Sequence, residues 1–398
     1  MPFLHRFAAS VGALLFLSCA SVGAIESVDE HARRGPVGDV VAPLDDALFG
    51  EQVSFFSGST RFSVTDVALP GKGPPLAIGR THLVGSKGGK FGEELDGPRA
   101  PGLFGEWDLD IPHLRGMFPM AHGWRVVGAS PDARCSAPTS SATMRPPDQP
   151  HFYGDSLWGG HFLQLPGQGE QRVLLATTPL ADRPNASAAY RWNTAGHWYF
   201  SCTPLKNGAG EGFVGHAPDG MRYYFDHLVH QRANAVLKWK LSAGAERVVG
   251  MLYPTRVEDR FGNVLDYVWS GERLLRIVGG GRAITLGYAA AGSGLSAGQK
   301  IATVSDGSQT WRYAYSPEGF LRTVTLPDGS AWDLQTAVPE FEITDGSTNA
   351  YPTLCHERWI YEPRTVTYRM TNPSGAVGEF QFLPMRHARA RGTTMRLG

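Results

Sequence analysis

Asp306-Gly307-Ser308-Gln309 turns the chain, and Thr310-Trp311-Arg312-Tyr313-Ala314-Tyr315 follows it in strict alternation. In a strand, that pattern puts Trp311, Tyr313 and Tyr315 on one face and Arg312 and Ala314 on the other. The aspartate–glycine pair supplies the positive φ that a tight primed hairpin turn needs. The same turn-then-aromatic unit recurs on both sides. Asp219-Gly220 precedes Met221-Arg222-Tyr223-Tyr224-Phe225, and Gly262-Asn263 precedes Val264-Leu265-Asp266-Tyr267-Val268-Trp269. Asp328-Gly329 precedes Ser330-Ala331-Trp332-Asp333, and Ser374-Gly375 precedes a run that ends Phe380-Gln381-Phe382. Successive turns are 43, 44, 22 and 46 residues apart, each close to a multiple of 22. Self-similarity at a fixed period marks stacked repeats. One hairpin cannot bury its apolar face alone, so neighbouring units have to share a core.

Two of these units, Asp259-Arg260-Phe261-Gly262-Asn263-Val264-Leu265-Asp266-Tyr267 and Thr325-Leu326-Pro327-Asp328-Gly329, resemble the repeats of the Rhs family, also called YD repeats. Two earlier segments are similar to the region with which such proteins open. One is Phe62-Ser63-Val64-Thr65-Asp66-Val67-Ala68-Leu69-Pro70-Gly71 with Leu76-Ala77-Ile78-Gly79-Arg80; the other is Trp158-Gly159-Gly160-His161-Phe162-Leu163-Gln164-Leu165-Pro166-Gly167. The resemblance runs over residues 45–387, and the period is poorly kept across 340–370. It implies an all-β fold: an N-terminal β domain at 46–215, then a sheet of stacked YD-type hairpins at 216–385. That sheet would be an incomplete version of the hollow shell that larger members wind around a toxic tail. The self-cleaving segment of those members has no counterpart here, so neither toxin activity nor self-cleavage is expected. About half a dozen periods hold a sheet together without closing a shell. The stretch Val377 to Leu383 would then be an open edge, as in a fragment or a piece that docks on another body.

Composition agrees with a turn-rich β protein. The 49 glycines and 28 prolines among 398 residues are too many for a helical one. Lysine plus arginine and aspartate plus glutamate both total 37, a balance that argues against a nucleic-acid or general membrane-surface binder.

The N-terminus has the order of a secretory signal. His5 and Arg6 start it, Ala8 to Ala20 is apolar but too short to span a bilayer, and Val22-Gly23-Ala24 is a small-residue cleavage site. Residues 1–24 are therefore expected to be removed, 25–45 to form a linker, and the mature chain to start at Ile25. Cys19 raises lipid attachment as an alternative, which Phe16-Leu17-Ser18 fits poorly. Cys135, Cys202 and Cys355 remain after cleavage. In an oxidising compartment, Cys135 with Cys202 is the preferred bridge, and buried free thiols are the alternative. With no Cys-x-x-Cys, neither a zinc site nor a thioredoxin-type centre is indicated.

Along the front half, strands are expected at Gln52–Phe56, Arg61–Val67, Leu76–Arg80, Glu106–Ile111, Phe162–Leu165, Val173–Ala176, Tyr190–Trp192, Trp198–Cys202 and Gly212–Gly215. Ala181 to Ala189 is the best helix candidate, weakened by Pro184. Residues 386–398 form a basic tail without strand pattern, read as solvated.

Candidate chemistry is sparse. Gly154-Asp155-Ser156-Leu157 spells the nucleophile block of GDSL-type serine esterases. The residues before it do not form an apolar strand, and Trp158-Gly159-Gly160 does not start a helix, so a turn is the better reading. His227 and His230 are three apart, which puts them on opposite faces of a strand and unfit to share a metal. The recurring aromatics Tyr267, Trp311, Tyr313 and Trp332 would stack on sugars if they faced outward, and fill the inter-hairpin layer if they faced inward.

The expected protein is thus exported and non-enzymatic, without cofactor or metal, and serves as a scaffold or interaction surface at or beyond the cell envelope. Its partner would be a protein, a glycan or the rest of an Rhs-like shell. The residues expected to matter are the turn glycines Gly220, Gly262, Gly307, Gly329 and Gly375 together with the four aromatics. A carbohydrate-binding surface module and an esterase at Ser156 are the alternatives.

Overall fold

Strands, turns and irregular segments account for all the described residues, with no helix among them. The structure, a computed structural model, describes residues 48–53, 60–84, 103–126, 130–137, 160–176, 183–184, 189–233, 246–289, 300–336, 342–345, 359–362 and 365–383. The signal segment, the linker, Ser156, Cys355, the basic tail and most of Ala181–Ala189 lie outside these residues.

Three sets of strands follow one another. A front sheet comprises β1 (Glu51–Val53), β2 (Thr60–Leu69), β3 (Leu76–Leu83) and β4 (Asp108–Asp110), paired in that order. Next come β5 (His113–Pro119), β6 (His161–Gln164), β7 (Gln171–Leu175), β8 (Trp192–Asn193), β9 (Tyr199–Pro204), β10 (Glu211–His216), β11 (Arg222–Arg232) and β12 (Arg247–Glu258). Each pairs antiparallel with the next, and β12 returns to pair with β5 from Arg247↔Pro119 to Leu252↔Leu114. These eight strands form a closed barrel, and both edges of β5 are taken. The ring draws strands from both sides of residue 215.

The third set grows out of the barrel. The last residues of β12, Arg256 to Glu258, pair with β13 (Val264–Ser270) instead of β5. From there the sheet continues through β14 (Arg273–Gly279), β15 (Arg282–Tyr288), β16 (Ile301–Ser305), β17 (Thr310–Tyr315), β18 (Leu321–Thr325) and β19 (Ala331–Gln335). An excursion carries the separate hairpin β20 (Glu342–Asp345) and β21 (Trp359–Glu362) before β22 (Val366–Thr371) pairs with β19 and β23 (Val377–Phe382) pairs with β22. The lapse of period across 340–370 coincides with this excursion. Strand β12 is the junction, and its first eight residues are all buried.

The repeat turns differ in detail from the primed two-residue form. In four of the five, the residue before the loop accepts from the glycine N–H and donates to the residue after it: Ala217–Met221, Asp259–Asn263, Leu326–Ser330 and Asn372–Ala376. These are three-residue loops, which carry a left-handed residue in third position. The glycine fills that place, and proline precedes it at 218, 327 and 373, where its fixed φ suits the opening of the turn. Asp306–Gln309 is the shorter exception. Aspartate or asparagine oxygens at 219, 259, 306, 328 and 372 accept backbone N–H groups two residues on. Because the strands alternate in direction, all five turns sit along one rim of the sheet.

Gly307 has φ +96° and open space around its missing side chain. Valine there meets only the backbone penalty, so Gly307→Val is expected to lower stability by about 1–2 kcal/mol in a denaturant melt. A variant that melts like the parent would contradict the turn at that position.

The barrel interior is filled by side chains. Gly116 and Gly250 lie opposite each other across β5 and β12. A methyl group at either would stand within 3 Å of Phe118 or Trp124, so the two glycines make room for those rings. His161 sits among Trp124, Trp192 and Phe213 at centroid distances of 5.3, 5.3 and 5.4 Å. Burial, with the nearby Arg134 charge, holds its imidazole down to about 3. The unfolded chain takes up that proton near pH 6.5 while the native state refuses it, so this contribution to stability is lost as pH falls from 6.5 toward 3. At pH 4 the loss is roughly 3 kcal/mol, from about 1.4 kcal/mol per unit. Asp66, Glu106 and Asp110 have carboxyls raised by burial and act in the opposite sense, gaining stability as pH falls. Comparing the pH-dependent stability of the parent with that of His161→Leu isolates the histidine, and the variant is expected to lose less on acidification.

Candidate functional site, a polar interlock and an open strand edge

The inner face of the repeat sheet is lined by the front sheet. Trp311 and Tyr313 are buried, at 8% and 5% exposure, while Arg312 and Ala314, which alternate with them, are exposed. Tyr267 is buried at 8% and Trp332 is half-buried. Trp311 therefore has no free face for a sugar. The five turn glycines have φ between 83° and 96°. Cys135 and Cys202 form a disulfide, with Cα atoms 5.6 Å apart.

The two sheets are keyed together by polar contacts that isolated motifs did not reveal. Asp66 is the extra residue of a bulge in β2, where the register jumps from Thr65↔Gly79 to Val67↔Ile78. The bulge aims its carboxylate into the layer. Arg80 Nε donates to both Asp66 oxygens at 3.2 and 3.1 Å, and the Tyr313 hydroxyl donates to Oδ2 at 3.0 Å. The guanidinium lies between the rings of Trp107 (4.7 Å) and Trp332 (5.3 Å), a stacked cation–π arrangement. Arg80 is fully buried and the Asp66 side chain is 2% exposed. Burial pushes the Asp66 carboxyl up, and the Arg80 charge and the Tyr313 hydroxyl pull it back.

Glu106 makes a second key. Its Oε2 accepts the N–H of Leu321 at 2.8 Å, and its Oε1 accepts from the Thr336 hydroxyl. The Leu321 amide lies beside a bulge between β17 and β18, so the carboxylate satisfies a strand donor next to a break in register. His82 links the sheets again: Nδ1 lies 2.9 Å from the Glu106 carbonyl and Nε2 lies 3.1 Å from the Tyr368 hydroxyl. The carbonyl can only accept, so Nδ1 carries the proton and Nε2 accepts from Tyr368. At the turn end, Arg282 donates to the carbonyls of Leu69, Lys72 and Pro74 and clamps the β2–β3 connection. Gly105 (φ +77°) completes the fit, since a side chain there would stand 2.6 Å from the Gly319 carbonyl.

A second polar cluster ties a loop across the barrel. The Glu211 carboxylate accepts from the amides of Cys135 and Ser136 at 3.0 and 2.8 Å and from the Ser136 hydroxyl at 2.7 Å. Arg134 Nε donates to the Trp124 carbonyl at 2.8 Å, and its guanidinium lies 4.6 Å from the Phe118 ring. With the disulfide, these contacts hold residues 124–126 and 130–137 against β9 and β10. Asp66 and Arg80 stand alone within apolar stretches of sequence, which is the signal that could have singled them out; Glu106 and Arg134, with Asp108 and Asp132 two residues away, carry none.

Burial thins at the far end of the sheet. Tyr368 and Met370 on β22 are buried, at 0% and 1% exposure. Their neighbours on β23, Phe380 and Phe382, face the same layer but are only half-buried. Val377 and Leu383, on the other face of the same stretch, are 53% and 56% exposed. Among the described strands, β23 pairs with β22 alone.

Fold and site together define an all-β protein: a closed eight-strand barrel that continues into a long antiparallel sheet lined by a second sheet. No protein-family model matches the chain, and no curated protein matches it.

Proposed function

We propose that this chain is an exported, non-enzymatic scaffold of Rhs/YD-repeat type, with its working surface on the repeat sheet at the cell envelope or outside the cell. The observation that carries this reading is the antiparallel sheet that runs on from the barrel through nine further strands and stops at a singly paired β23. The polar groups most deeply placed between the sheets, Asp66, Arg80 and Glu106, make architectural contacts with backbone, tyrosine and tryptophan. The motif order from Phe62 to Gly375 supports the family assignment, and the basic-apolar-small order of residues 1–24 supports export. The buried Trp311 ring counts against a glycan-stacking role for that residue.

Two measurements test the proposal. Cell fractionation with N-terminal sequencing should find the chain outside the cytoplasm and starting at Ile25. A photo-crosslinker in place of the exposed Gln381 should form adducts in intact cells. A cytoplasmic chain that retains residues 1–24, or one without adducts, would overturn the proposal. Labelling by a serine-hydrolase probe that is lost in Ser156→Ala would favour the esterase instead.

A further inference from the structure

We infer that β23 is a self-complementary edge through which two copies of this chain pair antiparallel, making one sheet continuous across both. The inference rests on the reading of the repeat sheet as an interaction surface and names the occupant of its open edge. A strand edge offers a row of unpaired backbone donors and acceptors, and native proteins blunt such edges or use them. This one carries half-buried aromatics on one face and exposed Val377 and Leu383 on the other, so it is unfinished on both.

The side chains fit a two-fold pairing centred on Phe380. Antiparallel partners on opposing strands share a face, and a shift of one residue would set the outer face of one copy beside the inner face of the other. Only registers that keep the faces matched are therefore open. With Phe380 opposite its own copy, Gly378 faces Phe382, Glu379 faces Gln381, and Val377 faces Leu383. The two pairs on the exposed face are complementary: a carboxylate meets an amide, and two exposed aliphatic side chains cover each other, while on the inner face Gly378 is already covered by Phe49 of its own copy. By symmetry each pair occurs twice. Moving the centre to Glu379 sets like charges face to face, and moving it to Gln381 sets Glu379 against Leu383. Arg369 stands across from Glu379 on β22 and Gln381 faces the neutral Thr367, while the Gln381 amide also donates to Glu379 of its own copy at 3.4 Å, so a charge at 381 acts within one copy as well as across the two-fold.

The test uses the full chain in analytical ultracentrifugation across a micromolar concentration range. The parent should show a concentration-dependent dimer. Gln381→Glu places two carboxylates opposite each other twice and should weaken the dimer about tenfold. Gln381→Lys creates two carboxylate–ammonium pairs and should tighten it, with the gain shrinking in high salt. Melting temperatures taken at a dilution where each protein is monomeric measure what the contact between 381 and Glu379 of the same copy contributes, which separates it from the change in association. A parent that stays monomeric, or two variants with unchanged association, would overturn the inference. Crosslinks from Gln381 to a different protein, with a monomeric purified chain, would sink this pairing while leaving the scaffold reading intact.

Discussion

Asp66→Ala is expected to lower the unfolding free energy by about 3–5 kcal/mol, the usual cost of breaking a buried ion pair by removing one partner. Arg80 is fully buried. Its Nη1 and Nη2 atoms have no hydrogen-bond partner among the described residues, so Asp66 is its main compensation, supplemented by the two tryptophan rings. Removing the carboxylate also strands the Tyr313 hydroxyl, which donates to it from the repeat sheet. The paired variant Asp66→Leu/Arg80→Met should cost clearly less than Asp66→Ala, because it leaves no buried charge behind. Urea titration of the three proteins decides this. Equal losses in the single and paired variants would show that the cluster acts by shape rather than by charge.

Reduction of the Cys135–Cys202 disulfide should have an effect of similar size. The bridge spans 67 residues of sequence, and the chain-entropy relation for a loop of that length gives about 4 kcal/mol. Residues 124–126 and 130–137 would keep their Glu211, Trp124 and Arg134 contacts, so the barrel should remain folded at moderate temperature but melt earlier. Thermal melts with and without reductant, alongside Cys135→Ala/Cys202→Ala, measure the loss. Coincident melts would mean that the bridge constrains little of the unfolded chain.

The repeat sheet was legible in the sequence because its signals are local. A glycine in third loop position, a proline two residues earlier and an alternating aromatic strand all fall within about ten residues. Even so, the 43- and 44-residue steps concealed intermediate turns such as Gly280-Gly281 and Pro317-Glu318-Gly319, which lack the Asp-Gly signature or lie at the opposite rim. Barrel closure was not legible. It depends on β5, hidden by Gly116, by its last residue Pro119 and by the preceding Pro112, and on a partner more than a hundred residues away in β12. The continuous apolar run Val248-Val249-Gly250-Met251-Leu252-Tyr253 is the signature of a strand buried on both faces and was the available hint. Asp66 escaped notice because a bulge, not the period-two pattern, turns it inward.

The central claim is that the front sheet is the lining of the repeat sheet, so that the two open and close together. Native-state hydrogen exchange tests it most directly. Amides of β2 and β3 should share one opening free energy with those of β16, β17 and β18, and Asp66→Ala should lower all of them by the same amount. Front-sheet amides that exchange orders of magnitude faster than the repeat strands would contradict it.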